Sequence, residues 1–248
     1  MAQFFHVILY QPLFNLLVFF YNVIPGKDVG VAIIALTLLT KVLLYPLTRK
    51  TLKAQRDMQL LQPRLKDIQE KHKNDKTLQA QETMKLYKEH GVNPLGGCLP
   101  LLIQLPLLIA LFQVFRTGFE PGTLETDLYS FISNPGMLNP WFLGIIDLSQ
   151  QSSLLALLAG VAQFFHTRLM SLNQAARKGN ENGSDMGQMM QKQMTFMMPI
   201  LTVVISFSLP AALPFYWLAN TLFSIGEHYL SLPRSLTGFH VGEEKKAP

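Results

Sequence analysis

The chain has 248 residues, 49% of them hydrophobic and only 15% charged, with a formal net charge of +5. A soluble domain carries about a quarter charged residues, so the composition excludes an ordinary water-soluble domain and points to a chain built for lipid. The single cysteine, Cys98, excludes an internal disulfide framework, and no Cys/His cluster offers metal ligands.

The N-terminus, "MAQFFHVILYQPLF", lacks a basic leader and an A-x-A site, so no cleavable signal peptide is expected. Within residues 1–25, the stretch Phe4–Ile24 is long enough to cross a hydrocarbon core of about 30 Å. However, Gln11, Asn15 and Asn22 recur near one face and Pro12 sits near the start. An amphipathic helix lying in the interface is expected, with a sixth span as the alternative. Residues 26–48 form the first span, with Val29–Leu47 as its apolar part.

Residues 49–94 read as a helical hairpin. Met58, Leu61, Leu65 and Ile68 recur at steps of three and four, and Pro63 is expected to bend this arm. "KNDK" (Lys73–Lys76) is a turn, after which Ala80, Met84 and Tyr87 mark a second arm ending near Gly91. A second span follows at 95–116, then a loop at 117–151 carrying Glu120, Glu125, Asp127 and Asp147. In that loop "NPWFLGII" (Asn139–Ile146) is too short to cross and is expected at the outer interface, anchored by Trp141. The third span is 152–172, followed by a loop at 173–193 with the Gly/Asn-rich stretch "RKGNENGSDMGQ". The fourth, 194–209, is about 24 Å long, and Pro210 separates it from the fifth, 211–231. Residues 232–248 form a tail.

Orientation follows from the basic residues. Residues 49–94 hold eleven Lys and Arg against six acidic residues, 168–193 hold four, and the tail holds Arg234, Lys245 and Lys246. Eighteen of 21 then face the cytoplasm if the first span enters from outside, whereas Lys27 and Arg116 face the other side. The expectation is N-out, C-in with five spans, in a bacterial plasma membrane. The basic hairpin is either a solvated element beside anionic lipid heads or a docking arm for a ribosome or client chain.

Lys41 interrupts "LTLLTKVLLYPLTRK" in the inner half of span one. Gln104 in span two, Gln163 and His166 in span three, and Asn220, Thr221, Ser224 and Glu227 in span five reach similar depths. A central Lys costs about 2.5–3.5 kcal/mol even on a lenient insertion scale. Several such groups in one leaflet therefore imply a shared wet groove, open to the cytoplasm and closed outward. The alternative readings of Lys41 are snorkelling to lipid heads and pairing with Glu227 as a strut. No GxxxxGK[ST], HExxH or GxSxG motif occurs, so no nucleotide, cofactor or metal is expected, and neither is an enzyme; nor is there a nucleic-acid motif.

"LTKVLLYPLTRK", "LLQPRLKDIQEKHKND", "KLYKEHGVNPLGGCLPLLIQLPLLIALFQVF" and "FYWLANTLFSI" resemble the YidC/Oxa/Alb membrane-protein insertases, over about Tyr10 to Leu230. The resemblance implies an all-α polytopic membrane protein: five transmembrane helices around an inner-leaflet hydrophilic groove, with a cytoplasmic helical hairpin and an N-terminal interfacial helix. It implies insertion of nascent membrane proteins, with a ribosome and the Sec translocon as candidate partners besides the bilayer. The family's groove residue is most often an arginine five positions before a proline. Here Lys41 stands five before Pro46, keeping the charge but losing the planar fork of donors. The sequence carries no large extracytoplasmic domain and no long basic tail, so a short bacterial form is expected. In this reading a client's polar tail enters the groove, Lys41 attracts its acidic residues, and its apolar span leaves along spans three and five past Phe164, Phe165, Trp217 and Phe223. A small-solute transporter or ion channel is the alternative from a different class; it needs a path wet from both sides.

Overall fold

The computed structural model describes residues 2–93, 99–120, 122, 124–175 and 185–231. The expected features in Pro94–Cys98, residues 176–184 and the tail at 232–248 lie outside the described residues. The chain runs through α1 (Ala2–Phe5), a wide π-type turn (His6–Tyr10) and α2 (Gln11–Val23). It continues into α3 (Val29–Leu60), α4 (Gln62–Lys71), α5 (Lys76–Glu89) and α6 (Leu99–Phe119). After a short 3-10 turn (Leu124–Thr126) come β1 (Trp141–Phe142), β2 (Ile146–Asp147), α7 (Ser153–Ala175), α8 (Asp185–Phe207) and α9 (Ala212–Ser231). The protein is thus mostly helical. Two stretches, Gln3–Val23 and Val29–Thr51, are each long and apolar enough to cross a bilayer, and Gln104–Phe119, Ser153–Leu169 and Phe196–Phe207 are shorter apolar stretches.

Several element boundaries differ from the expected ones. The helix that carries the first apolar stretch runs on beyond residue 48. Helix α3 continues unbroken to Leu60, through Pro46. Proline deletes one backbone hydrogen bond and crowds the carbonyl four residues back, but Leu, Lys, Gln and Arg beyond it are good helix formers. The break comes instead at Leu61, with Pro63 in the first turn of α4, where its missing N–H is harmless. Helix α8 starts at Asp185, ahead of its apolar stretch Phe196–Phe207.

The turn between α4 and α5 is where "KNDK" places it. Asp75 caps α5, its Oδ1 accepting from the Thr77 and Leu78 N–H groups at 3.0 Å each. Leu61, Leu65 and Leu86 form the buried core of this hairpin. At its base Arg64 Nη1 lies 2.7 Å from His90 Nε2, whose Nδ1 is 2.9 Å from the Leu86 carbonyl.

The main core sits at the opposite end of the bundle, where α2, α3, α6 and α9 converge under the loop at 117–151. Phe14, Leu17, Ile33, Leu36, Leu111, Phe115 and Tyr216 are fully buried there, and Leu124, Leu138 and Leu148 from the loop close over them. "NPWFLGII" forms a small antiparallel hairpin, pairing Trp141 with Asp147 and Phe142 with Ile146. The three-residue turn Leu143–Ile145 joins the strands, its first two residues at positive φ, 50° and 69°, and the Ile145 N–H donating to the Phe142 carbonyl at 2.9 Å. Phe142 presses onto Gly30 of α3, where a Cβ would lie 2.2 Å from its ring, and packs against Phe215 of α9 with the rings 4.7 Å apart and tilted by 52°.

Helix α2 and the turn before it are fastened to the same loop along their whole length. His6 and Tyr10 reach the Asp127 carboxylate at 3.1 and 3.2 Å. Asn15, fully buried, donates to the Asp127 and Gln11 carbonyls at 2.8 Å and accepts from the Tyr129 N–H at 2.7 Å. Asn22 donates to the Ser133 carbonyl at 2.7 Å, and the Tyr21 hydroxyl accepts from the Asn139 N–H.

Candidate functional site

Helix α9 is the spine of the site, since it packs against α3, α6 and α7. At about 100° per residue, Tyr216, Asn220, Phe223, Ser224 and Glu227 share an arc of about 100°, with Trp217 at its edge and Thr221 turned further round. The polar residues fall at i, i+4 and i+7, so the stripe is written in the sequence, and the neighbouring helices supply its partners.

At the level nearest the α4–α5 hairpin, α3 offers Lys41. Its Nζ donates to Ser224 Oγ at 2.6 Å and to Glu227 Oε2 at 3.3 Å. Both charged side chains are sheltered, Lys41 at 16% and Glu227 at 20% exposure. Ser224 in turn donates to the Asn220 carbonyl at 2.9 Å, which leaves its oxygen lone pairs for the ammonium. Lys41 lies twelve residues into α3 and Ser224 twelve into α9, about 18 Å along each axis. Both helices start from the same end of the bundle, so equal depth lets the pair meet. Lys41 is thus paired with both Ser224 and Glu227 in the structure.

A turn higher, α7 joins α9. Thr221 Oγ1 donates to Gln163 Oε1 at 3.3 Å, and the Gln163 carbonyl accepts from Thr167 at 2.6 Å. His166, half-buried, lies one turn further along α7. Gln104 of α6 meets α9 higher still: its Nε2 donates to the Tyr216 hydroxyl at 3.5 Å. Tyr216 lies eight residues before Ser224, about 12 Å up the helix, so Gln104 marks the end of the polar stripe nearest the main core rather than the level of Lys41. Tyr216 is 2% exposed and was not singled out from the sequence; its position on the Asn220–Ser224–Glu227 arc was the available signal.

The four aromatic residues expected along the client's exit do not share one face. Phe164 turns to α8, its ring 5.8 Å from Phe196, whereas Phe165 is exposed. Trp217 and Phe223 are half-buried and lie about 120° apart around α9. Helix α8 is held by close packing on α7, where Gly160 admits Val203 so tightly that a Cβ would lie 2.2 Å from its methyl. Among the described residues no group of three or more His, Cys, Asp or Glu is placed to hold a metal ion.

Residues 19–235 match the family described as 60Kd inner membrane protein. The chain is 37% identical to a protein of Fusobacterium nucleatum named membrane protein insertase YidC, covering 83% of this chain and 86% of that one. It is 35% identical to membrane protein insertase YidC 1 of Halalkalibacterium halodurans, over 95% of this chain and 80% of that one. The YidC of Syntrophus aciditrophicus is 34% identical, but this chain spans only 35% of it. Among solved structures, the chain resembles an active YidC insertase crystallised with its first transmembrane domain resolved. The TM-score is 0.59 at 27% identity, over 90% of this chain and 47% of that one.

Proposed function

Since the chain belongs to the 60Kd inner membrane protein family, that of the YidC insertases, we propose that it inserts nascent membrane proteins through the polar stripe on α9. The protein is a membrane insertase by kinship; the route through its own residues is our reading. In it, α3, α6, α7, α8 and α9 are the five spans, with the N-terminus outside and the C-terminus in the cytoplasm. The placement of eleven basic residues at 49–94 supports this orientation.

The bonds of α2 support an interfacial position for that helix. A spanning helix has its two ends on opposite sides of the bilayer. His6 and Asn22 are sixteen residues apart, about 24 Å, yet both are bonded to the loop at 127–133.

One observation carries the groove: an ammonium sheltered between Ser224 and Glu227, with Gln163–Thr221 and Gln104–Tyr216 above it on the same helix. Beyond Tyr216 the bundle is packed with the buried side chains of the main core, which supports a dead-ended cleft over a pore. A client's polar tail enters from the cytoplasm and exchanges water for these groups. Only the outer half of the bilayer then remains to be crossed. The client's apolar span leaves beside α7 and α9, near Phe164, Phe165, Trp217 and Phe223. Its transfer into lipid contributes about 25 cal/mol per Å² buried, and a potential positive outside favours an acidic tail by about 2.3 kcal/mol per charge per 100 mV.

The test is photocrosslinking of a stalled ribosome-bound client from single positions. Gln163, Phe165, Trp217 and Ser224 should label the client's span or tail, whereas Leu157 and Leu222, on exposed faces, should not. Equal labelling from all six positions would refute the assigned path. Ribosome and Sec translocon are proposed partners, to be sought by the same labelling on the α4–α5 hairpin.

A further inference from the structure

The ammonium of Lys41 is not vacant at rest: a carboxylate from the chain itself already occupies it. We propose that Glu227 is an internal stand-in for the client's carboxylate. It is displaced when an acidic tail arrives, and once displaced it serves as the receptor for basic tails. This inference rests on the groove reading above and assigns a specificity role to the residue that neutralises it.

Three observations support the exchange. The two bonds to Lys41 are unequal. Ser224 Oγ is 2.6 Å from Nζ, whereas Glu227 Oε2 is 3.3 Å away, longer than the about 2.7–2.9 Å of a well-made charge-assisted bond. The neutral hydroxyl therefore fixes the ammonium, and the carboxylate is loosely attached. An ammonium has three N–H donors, and Ser224 and Glu227 account for two. An incoming carboxylate can thus bind the remaining donor before Glu227 leaves, so that Lys41 is never left without a counter-charge. Finally, Glu227 lies nearest the end of α9, one turn beyond Ser224 and towards the α4–α5 hairpin. It can rotate outward without disturbing the Ser224–Asn220 bond. In its outward position it faces the entrance of the groove, where a Lys or Arg of a client tail would meet it first. The resting pair is formally neutral, so neither sign of client is rejected at entry.

The experiment uses the full chain in liposomes and three single-span clients whose short tails differ only in carrying Asp, Lys or Ser. Relative to the Ser-tailed client in the same variant, Glu227→Gln should raise insertion of the Asp-tailed client by about threefold, the worth of a modest ion pair, and lower the Lys-tailed client by a similar factor. The exchanged pair, Lys41→Glu with Glu227→Lys, should retain insertion of both charged clients. If Glu227→Gln lowers all three clients equally while the wild type remains active, Glu227 is a strut and the exchange is wrong. If wild-type liposomes insert no client better than empty ones, the groove reading itself fails. A melting curve of each variant in detergent reads any general loss of fold separately from the opposite signs the exchange requires.

Discussion

Lys41 carries one of the few charges held inside the helical bundle, and its surroundings set what its removal should do. Lys41→Ala leaves Glu227 sheltered without a counter-charge, a more costly change than deleting both partners. In a double-mutant cycle, Lys41→Ala alone should therefore lower the melting temperature more than Lys41→Ala combined with Glu227→Ala. Insertion of acidic-tailed clients should fall by about tenfold if the attraction is worth about 1.4 kcal/mol, and Lys41→Arg should preserve it. Unchanged insertion of every client in Lys41→Ala would remove the attraction step. Asn15 is the second residue with an exposed liability. Its amide satisfies the Tyr129 N–H and the Asp127 carbonyl, and each buried group left unpaired costs about 1–3 kcal/mol. Asn15→Leu is nearly isosteric and more apolar, yet it should destabilise the protein and loosen the 127–139 loop, read by amide hydrogen exchange in that segment.

Among the elements, α7 and α8 depend on one missing side chain. Gly160 lets Val203 against the α7 backbone, and Ala156 and Ala159 extend the same small buried face. Gly160→Ala should cost about 1–3 kcal/mol through overpacking, measured by thermal unfolding in detergent, and Val203→Ala should restore most of it. The legibility of the elements followed the physics that made each one. The α4–α5 hairpin was readable because its apolar residues recur at helical steps and Asp75 is a capping residue in the expected turn. The contacts of Ser224 and Glu227 with Lys41 had a local signal, since Asn220, Ser224 and Glu227 recur at i, i+4 and i+7 in an otherwise apolar stretch. The end of α3 was not readable, because the apolar run gives way to Arg49 and Lys50 well before the helix itself ends at Leu60. The β1–β2 hairpin escaped notice because its turn, Leu143–Ile145, lacks the usual Asn-Gly or Asp-Gly signal, and its strands are two residues long. The partners of α2 were invisible for another reason: Asp127, Tyr129 and Ser133 lie more than 100 residues away, and no local pattern reports such contacts.

For the whole molecule, two ends with different chemistry are joined by apolar helices. One end holds the basic hairpin; the other holds α2, the acidic loop and the main core. If the proposed orientation is right, a membrane-impermeant thiol reagent applied to intact cells should distinguish them. In a Cys98→Ser background, Gly122→Cys should be labelled from outside and Lys73→Cys only after the membrane is opened. Gln3→Cys should be labelled from outside, since α2 is bonded to the outer loop at both ends; protection of Gln3→Cys in intact cells would return α2 to the status of a sixth span.

Helix α3 also has a mechanical consequence. Lys41 and Leu60 are carried on the same uninterrupted rod, about 28 Å apart along it, and Pro46 is its one internal weak joint. The far end of α3 is anchored by Phe142 against Gly30. A sideways load on the α4–α5 hairpin therefore acts as torque on a lever pivoting near Pro46, and the ammonium stands on the anchored arm, about 7.5 Å along the axis from the pivot.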